Sequence, residues 1–167
     1  MGTEIERKFL VTPTAEVPAA GPPAEPIRQG YLVVGATGET RLRDRGGRFT
    51  LTVKRGDGLV RGEWEVALTA EQFDALWPAT EGARLTKTRR EIPLGPATTA
   101  SLDEYGGQLA GLRVVEVEFP DESAATAFTP PPWFGPELTG HPAYGNRHLA
   151  TTPTTAVPAL LAGPGSG

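Results

Sequence analysis

The chain has no cysteine, and this absence removes several classes of function at once. A disulfide framework, a zinc–thiolate site and a cysteine nucleophile are excluded, and a reducing cytoplasm suits such a composition. There is no apolar run of about 18 residues and no signal-peptide pattern, so we expect a cytoplasmic protein without a membrane partner. The formal net charge of −4 also argues against non-specific binding to nucleic acid, and no nucleic-acid partner is expected.

Long helical periods are scarce, whereas turn-forming residues are abundant. The 167 residues include 21 glycines and 17 prolines, which favours one domain of many short strands. We expect this domain to span residues 1–150, with a proline-rich connector at 12–26. Residues 151–167 carry no charge and consist mainly of Ala, Pro, Thr and Gly, which predicts a flexible tail.

Within residues 1–150, charged and apolar side chains alternate along successive segments, as in β-strands. Strands are predicted at 4–11, 27–34, 39–44, 48–54, 59–68, 82–94, 100–105 and 112–119. Thr69 and Gln72 form the capping-box pattern of a helix start, and Asp121 is a candidate cap for a second short helix.

The charges of each strand share one face, because every second side chain of a strand points to the same side. In the first strand, Glu4, Glu6 and Lys8 place two carboxylates about 7 Å apart with an ammonium group beyond them. If the strands close into a barrel with the apolar face packed outward, the charges line a wet lumen. The residues of this charged face are Glu4, Glu6, Lys8, Arg41, Arg43, Lys54, Arg61, Glu63, Glu65, Lys87, Arg89, Asp103, Glu116 and Glu118.

Such a lumen cannot be a stabilising core, because crowded charges cost desolvation and repulsion unless a ligand compensates them. The ligand has to satisfy acidic and basic clusters together. A metal-bound polyphosphate does so, since carboxylates hold Mg²⁺ or Mn²⁺, the metal bridges phosphate oxygens, and Arg and Lys neutralise the remaining charge.

These motifs resemble the CYTH domain of the triphosphate tunnel metalloenzymes, in the family's order, over residues 1–150. The resemblance is carried by Glu4-Ile5-Glu6-Arg7-Lys8, Arg28-Gln29-Gly30-Tyr31-Leu32, Arg41-Leu42-Arg43, Thr52-Val53-Lys54, Arg61-Gly62-Glu63-Trp64-Glu65, Lys87-Thr88-Arg89-Arg90, Leu102-Asp103 and Val115-Glu116-Val117-Glu118-Phe119. It implies an α+β, mainly β fold: an eight-stranded antiparallel β-barrel, or tunnel, with a charged lumen and a few flanking helices. It also implies a metal-dependent triphosphatase, most similar to short bacterial tripolyphosphatases.

Carried over residue by residue, the resemblance assigns a role to most of the charged face. The implied metal side consists of Glu4, Glu6, Asp103, Glu116 and Glu118. The implied phosphate-binding residues are Lys8, Arg41, Arg43, Lys54, Arg61, Lys87 and Arg89. Lys8 and Tyr31 match a pair that helps to activate the attacking water in some members, so both are also candidate catalytic residues.

Our hypothesis for the mechanism uses two ions of Mg²⁺ or Mn²⁺. Glu4, Glu6 and Glu118 hold the first, and the second lies near Asp103 and Glu116 and orients water. A lowered pKa lets Lys8 accept a proton through Tyr31.

Several alternatives stay open at this point. Tyr31 is equally well explained as a strand aromatic, and Glu63 and Glu65 as partners of the arginines. The alternative functions are a polyphosphate-binding or nucleotide-binding module without turnover, a class IV adenylate cyclase, and a thiamine triphosphatase. The expected partner is a small triphosphate or polyphosphate, and a homodimer is left open.

Overall fold

The computed structural model describes residues 5–36, 38–55 and 62–165. Within these ranges, eight antiparallel strands form one sheet in the order β1-β8-β7-β6-β2-β3-β4-β5. The strands are β1 (Ile5–Leu10), β2 (Glu25–Gly35), β3 (Gly38–Arg45), β4 (Arg48–Arg55), β5 (Gly62–Leu68), β6 (Arg84–Pro93), β7 (Thr99–Tyr105) and β8 (Arg113–Phe119). All eight predicted strands are therefore present, and the mainly β fold with few helices is confirmed.

The described ranges also contain four short α-helices: α1 (Ala70–Leu76), α2 (Glu122–Ala127), α3 (Asn146–Leu149) and α4 (Val157–Ala162). The predicted caps are present. Thr69 and Gln72 form the capping box of α1, and the side chain of Asp121 accepts a hydrogen bond from the backbone of α2. Over the ranges that the structure describes, no helix has the length and hydropathy needed to cross a membrane.

Apolar residues cover the outer face of half of the sheet. Phe9, Ile92 and Val115 belong to a buried cluster on β1, β6, β7 and β8, which Trp133 and Phe134 cover from outside. On the other half, Phe73 of α1 is fully buried against Phe49 of β4. The apolar half of the alternating pattern therefore does point away from the charged face.

A second apolar cluster, here called the end cluster, occupies one end of the inner face. Its buried members are Leu10, Tyr31, Leu85, Tyr105, Leu109, Leu112, Val114, Leu138, Tyr144, Leu149, Ala150, Val157 and Leu160. Residues predicted as a tail take part in it: α4 buries Val157 and Leu160, and the Tyr144 hydroxyl donates to the Leu160 carbonyl at 3.0 Å. The described part of that segment is packed, because a stretch without charge can be buried as readily as it can be mobile.

The predicted closed barrel is only an approximation of this sheet, which is open. β1 and β5 are its two edges, and no strand pairing joins them in the residues that the structure describes. The edge of β1 is instead occupied by residues 135–139: Leu10 donates to the Pro136 carbonyl at 2.9 Å, and Leu138 donates to the Lys8 carbonyl at 2.7 Å. Since those backbone groups of β1 are already satisfied, β5 cannot pair with them.

Candidate active site

The strand register brings the predicted site residues of the described ranges to one face of the sheet. Directly opposed residues of antiparallel strands lie on the same side. Glu6 is opposite Glu118 and Lys8 is opposite Glu116, while Arg41 of β3 is opposite Thr52 of β4. The remaining members, on β3 to β8, continue the same alternation. Glu4 and Arg61, also predicted for the site, lie outside the described residues.

The centre of this face is a buried network of two carboxylates and three cations. Asp103 is 0% exposed and accepts a hydrogen bond from Lys87 at 2.5 Å. Each of its two carboxylate oxygens also accepts a hydrogen bond from Arg89 at 2.7 Å. Glu116 accepts from Arg89 at 3.0 Å and pairs with Lys8 at 2.9 Å. Every carboxylate oxygen of Asp103 and Glu116 therefore already has a cationic partner.

The charge state of Lys8 corrects the hypothesis made from the sequence. Burial opposes its charge, but the carboxylates of Glu116 and Glu6 outweigh burial and raise the pKa of Lys8. The reason is the register, which places Lys8 directly across from Glu116. Lys8 is therefore a charged cation in the metal-free protein, where its pKa is raised and not lowered as expected.

A different lysine has the lowered pKa. Complete burial, with the positive charge of Arg89 in addition, lowers the pKa of Lys87 to about 8 despite its contact with Asp103. The alternation in the sequence places Lys87 on the charged face, but its depth follows only from packing across three strands.

Lys8 and Tyr31 are not joined by a hydrogen bond among the described contacts. The ammonium of Lys8 contacts Glu116 and, at 3.5 Å, the carbonyl of Tyr144. The Tyr31 hydroxyl accepts from Gln29 at 3.2 Å, and burial raises the pKa of Tyr31 to about 12. Their joint role in activating water stays a prediction, and neither group has the charge state of a base.

Two arginines of β3 lack full compensation on this face. Arg41 is nearly buried and donates to the Thr52 hydroxyl at 3.3 Å, but its Nε atom has no hydrogen-bond partner in the described part of the chain. Burial, followed by the charges of Arg41 and Arg89, lowers the pKa of Arg43 to about 10. Like charges this close favour the binding of an anion.

Glu63 and Glu65, which the sequence leaves between metal ligation and pairing with arginines, contact other groups. Glu63 pairs with Lys54 at 3.0 Å, and Glu65 accepts from the Thr52 hydroxyl at 2.8 Å. Both carboxylates of β5 therefore contact side chains of β4.

Glu6 and Glu118 are the carboxylates that best suit a divalent cation. They lie opposite each other on β1 and β8, both are exposed, and carboxylate oxygens are ligands that Mg²⁺ and Mn²⁺ prefer. Within residues 5–36, 38–55 and 62–165, no three His, Asp or Glu side chains form a group able to hold a metal. A third ligand from the first strand would have to be Glu4.

Sequence reasoning did not nominate two uncharged members of the face, Gln29 and Thr52. Both are fully buried, and both contact a predicted phosphate-binding arginine. Their signal in the sequence is positional: Gln29 stands two residues before Tyr31, and Thr52 two residues before Lys54.

No family model matches the chain. An inorganic triphosphatase from Nitrosomonas europaea is 48% identical over 149 residues, which cover 89% of this chain and 97% of that protein. One from Acetivibrio thermocellus is 34% identical over 155 residues, covering 92% and 96% of the two chains.

Solved structures agree with these relatives. The crystal structure of an inorganic triphosphatase matches with a TM-score of 0.71 and 45% identity, covering 91% of this chain and 97% of that chain. A putative adenylate cyclase from Bacillus halodurans matches with a TM-score of 0.57 at 19% identity, over 74% of this chain and 83% of that one, and supports the fold alone. On the strength of two relatives above 30% identity over almost their whole length, the chain belongs to the inorganic triphosphatase family.

Proposed function

We propose that this protein is a metal-dependent hydrolase that converts inorganic tripolyphosphate and water into diphosphate and orthophosphate. The observation that carries the proposal is the uncompensated positive charge on the inner face, where Arg41 and Arg43 lie together and the Nε atom of Arg41 has no partner in the described part of the chain. The names of the two relatives agree with this substrate.

The cations of the face act by binding and orienting the substrate. Arg41 and Arg43 present guanidinium groups that can each donate two parallel hydrogen bonds to phosphate oxygens. Lys87 and Arg89 are fixed by Asp103, so they can stabilise charge on the transferred phosphoryl group without reorganising. In the reaction, a water oxygen bonds to a terminal phosphorus, the bridging P–O bond breaks, diphosphate leaves with the electron pair, and the proton lost by the water passes to a phosphate oxygen or to solvent.

Glu6 and Glu118, together with Glu4, are the residues that would hold Mg²⁺ or Mn²⁺. When bound, such an ion neutralises phosphate charge and polarises water. A second ion at Asp103 and Glu116 is less well supported, because their oxygens are engaged by Lys8, Lys87 and Arg89. We therefore favour one protein-held ion beside Glu6 and Glu118.

Phosphate release tests this function. The purified protein is assayed with tripolyphosphate, ATP and thiamine triphosphate, in Mg²⁺, Mn²⁺ or a chelator. We expect the fastest release from tripolyphosphate, none with the chelator, and a loss of about tenfold or more in Glu118→Gln. Glu104→Gln is the matched control, because Glu104 follows Asp103 on β7 and points to the opposite face.

Two results would contradict the proposal. Tight binding of tripolyphosphate without release under any metal identifies a receptor. Formation of cyclic AMP from ATP, with little release from tripolyphosphate, identifies a cyclase.

A further inference from the structure

Gln29 is a buried amide that connects two side chains of the candidate site. It is 0% exposed. Its neighbours on the inner face are Tyr31, two residues further along β2, and Arg43, which is directly opposite it on β3. Its Nε2 atom donates to the Tyr31 hydroxyl at 3.2 Å, and its Oε1 atom accepts from two nitrogens of Arg43 at 3.4 Å each. Because burying an amide is costly unless it is hydrogen-bonded, both contacts matter for keeping Gln29 here.

The chemistry of the neighbours determines which way the amide points. A guanidinium group can only donate hydrogen bonds, so the oxygen of Gln29 must face Arg43 and the NH₂ group must face Tyr31. The Tyr31 oxygen is then an acceptor, and its own proton points elsewhere. That proton has no acceptor among the described residues, and burial raises the pKa of Tyr31 to about 12, so the hydroxyl is a neutral donor.

The free proton of Tyr31 lies on the face that carries the phosphate-binding arginines. Tyr31 is directly opposite Arg41 in the register of β2 and β3, and Gln29 is directly opposite Arg43. An anion held by the two arginines is therefore next to a hydroxyl donor whose direction Gln29 sets.

Building on the proposed function, we propose that Gln29 is a positioning residue for triphosphate hydrolysis. It directs the O–H group of Tyr31 toward a phosphate oxygen, and it fixes the guanidinium of Arg43 against the same anion. Tyr31 then acts as a hydrogen-bond donor to the substrate, which differs from the role of proton acceptor together with Lys8.

Steady-state kinetics of three variants test this role. Gln29→Leu removes both contacts at similar volume, and we expect kcat to fall about tenfold through Tyr31 and KM to rise several-fold through Arg43. Tyr31→Phe should lower kcat by a similar factor with little change in KM. In the double variant, kcat should be no lower than in Tyr31→Phe alone, because Gln29 acts on kcat through Tyr31.

Gln29→Glu keeps the shape and the contact with Arg43 but reverses the other hydrogen bond. A carboxylate accepts the Tyr31 proton and turns it away from the substrate, so we expect kcat to fall to the level of Tyr31→Phe. Thr80→Val is the control, because it removes a buried hydroxyl outside the site. The Thr80 hydroxyl donates to the Trp77 carbonyl and accepts from Arg84. It should lower Tm without changing kcat or KM.

The proposal is overturned if the kcat losses of Gln29→Leu and Tyr31→Phe multiply in the double variant, or if Gln29→Glu retains the kcat of the unmodified protein. If the unmodified protein does not hydrolyse tripolyphosphate at all, the proposed function fails on its own. Calorimetric titration with tripolyphosphate then tests the positioning role. It stands if Gln29→Leu, which frees Arg43, weakens binding several-fold, and it fails if Gln29→Leu binds tripolyphosphate as tightly as the unmodified protein.

Discussion

Replacing Asp103 with asparagine removes a carboxylate that Lys87 and Arg89 share inside the protein. Asp103 is 0% exposed and its oxygens lie 2.5 to 2.7 Å from the nitrogens of both cations. Asparagine keeps the shape but turns one acceptor into a donor that faces a positive group. The variant therefore leaves buried positive charge without its partner.

The size of the effect follows from the remaining contacts. Breaking a buried ion pair by removing one partner costs about 3–5 kcal/mol. Arg89 keeps Glu116 at 3.0 Å, so we expect the lower end, about 3 kcal/mol. For a chain of this size each kcal/mol lowers Tm by about 2–4 °C, which gives a fall of about 6–12 °C.

Differential scanning calorimetry at neutral pH, with a chelator present, measures this change. Tripolyphosphate supplies the negative charge that Lys87 and Arg89 have lost, so adding it should raise Tm more in Asp103→Asn than in the unmodified protein. Glu104→Gln, on the opposite face of the same strand, should leave Tm almost unchanged. An unchanged Tm in Asp103→Asn, combined with a loss of metal affinity, would refute the ion network and favour Asp103 as a metal ligand.

Three further predictions concern other parts of the molecule. Leu160→Ala should cost about 2 kcal/mol, because Leu160 is buried in the end cluster; an unchanged Tm would show that α4 does not pack there. Arg41→Met should raise KM for tripolyphosphate about tenfold without lowering Tm, since it relieves repulsion with Arg43; an unchanged KM would exclude Arg41 from the substrate. Hydrogen bonding from Arg7 lowers the pKa of Glu137 in the folded protein. The pair therefore stabilises the fold at pH values above the ordinary glutamate pKa of about 4.3, and this contribution is lost as the pH falls from there through the lowered pKa of Glu137. Glu137→Gln should therefore lower the free energy of unfolding by no more than about 1 kcal/mol at neutral pH, with no difference from the unmodified protein in acid, as measured by denaturant titration.

The strands and the shared face of the charged residues could be predicted from the sequence, because the period of two is local information. Whether the sheet closes into a barrel could not be predicted. The sheet stays open because residues 135–139 occupy the edge of β1, a strand more than a hundred residues earlier in the chain. The packing of α4 was missed for a related reason: an uncharged segment reveals nothing about which surface can bury it.

The pKa values were equally beyond the sequence. Lys8 and Lys87 both lie on strands in which charged and apolar residues alternate. Lys8 is directly opposite the carboxylate of Glu116, whereas Lys87 is fully buried beside Arg89. Only register and depth separate them. The preferred ion, the homodimer and the cytoplasmic location stay predictions.

Phosphorus NMR of tripolyphosphate incubated with the protein and Mg²⁺ tests the central claim most directly. The signals of the terminal and central phosphates should give way to those of diphosphate and orthophosphate in equal amounts, and a chelator should stop the change. Tripolyphosphate signals that broaden on binding but persist indefinitely with every divalent cation would contradict hydrolysis on this charged face.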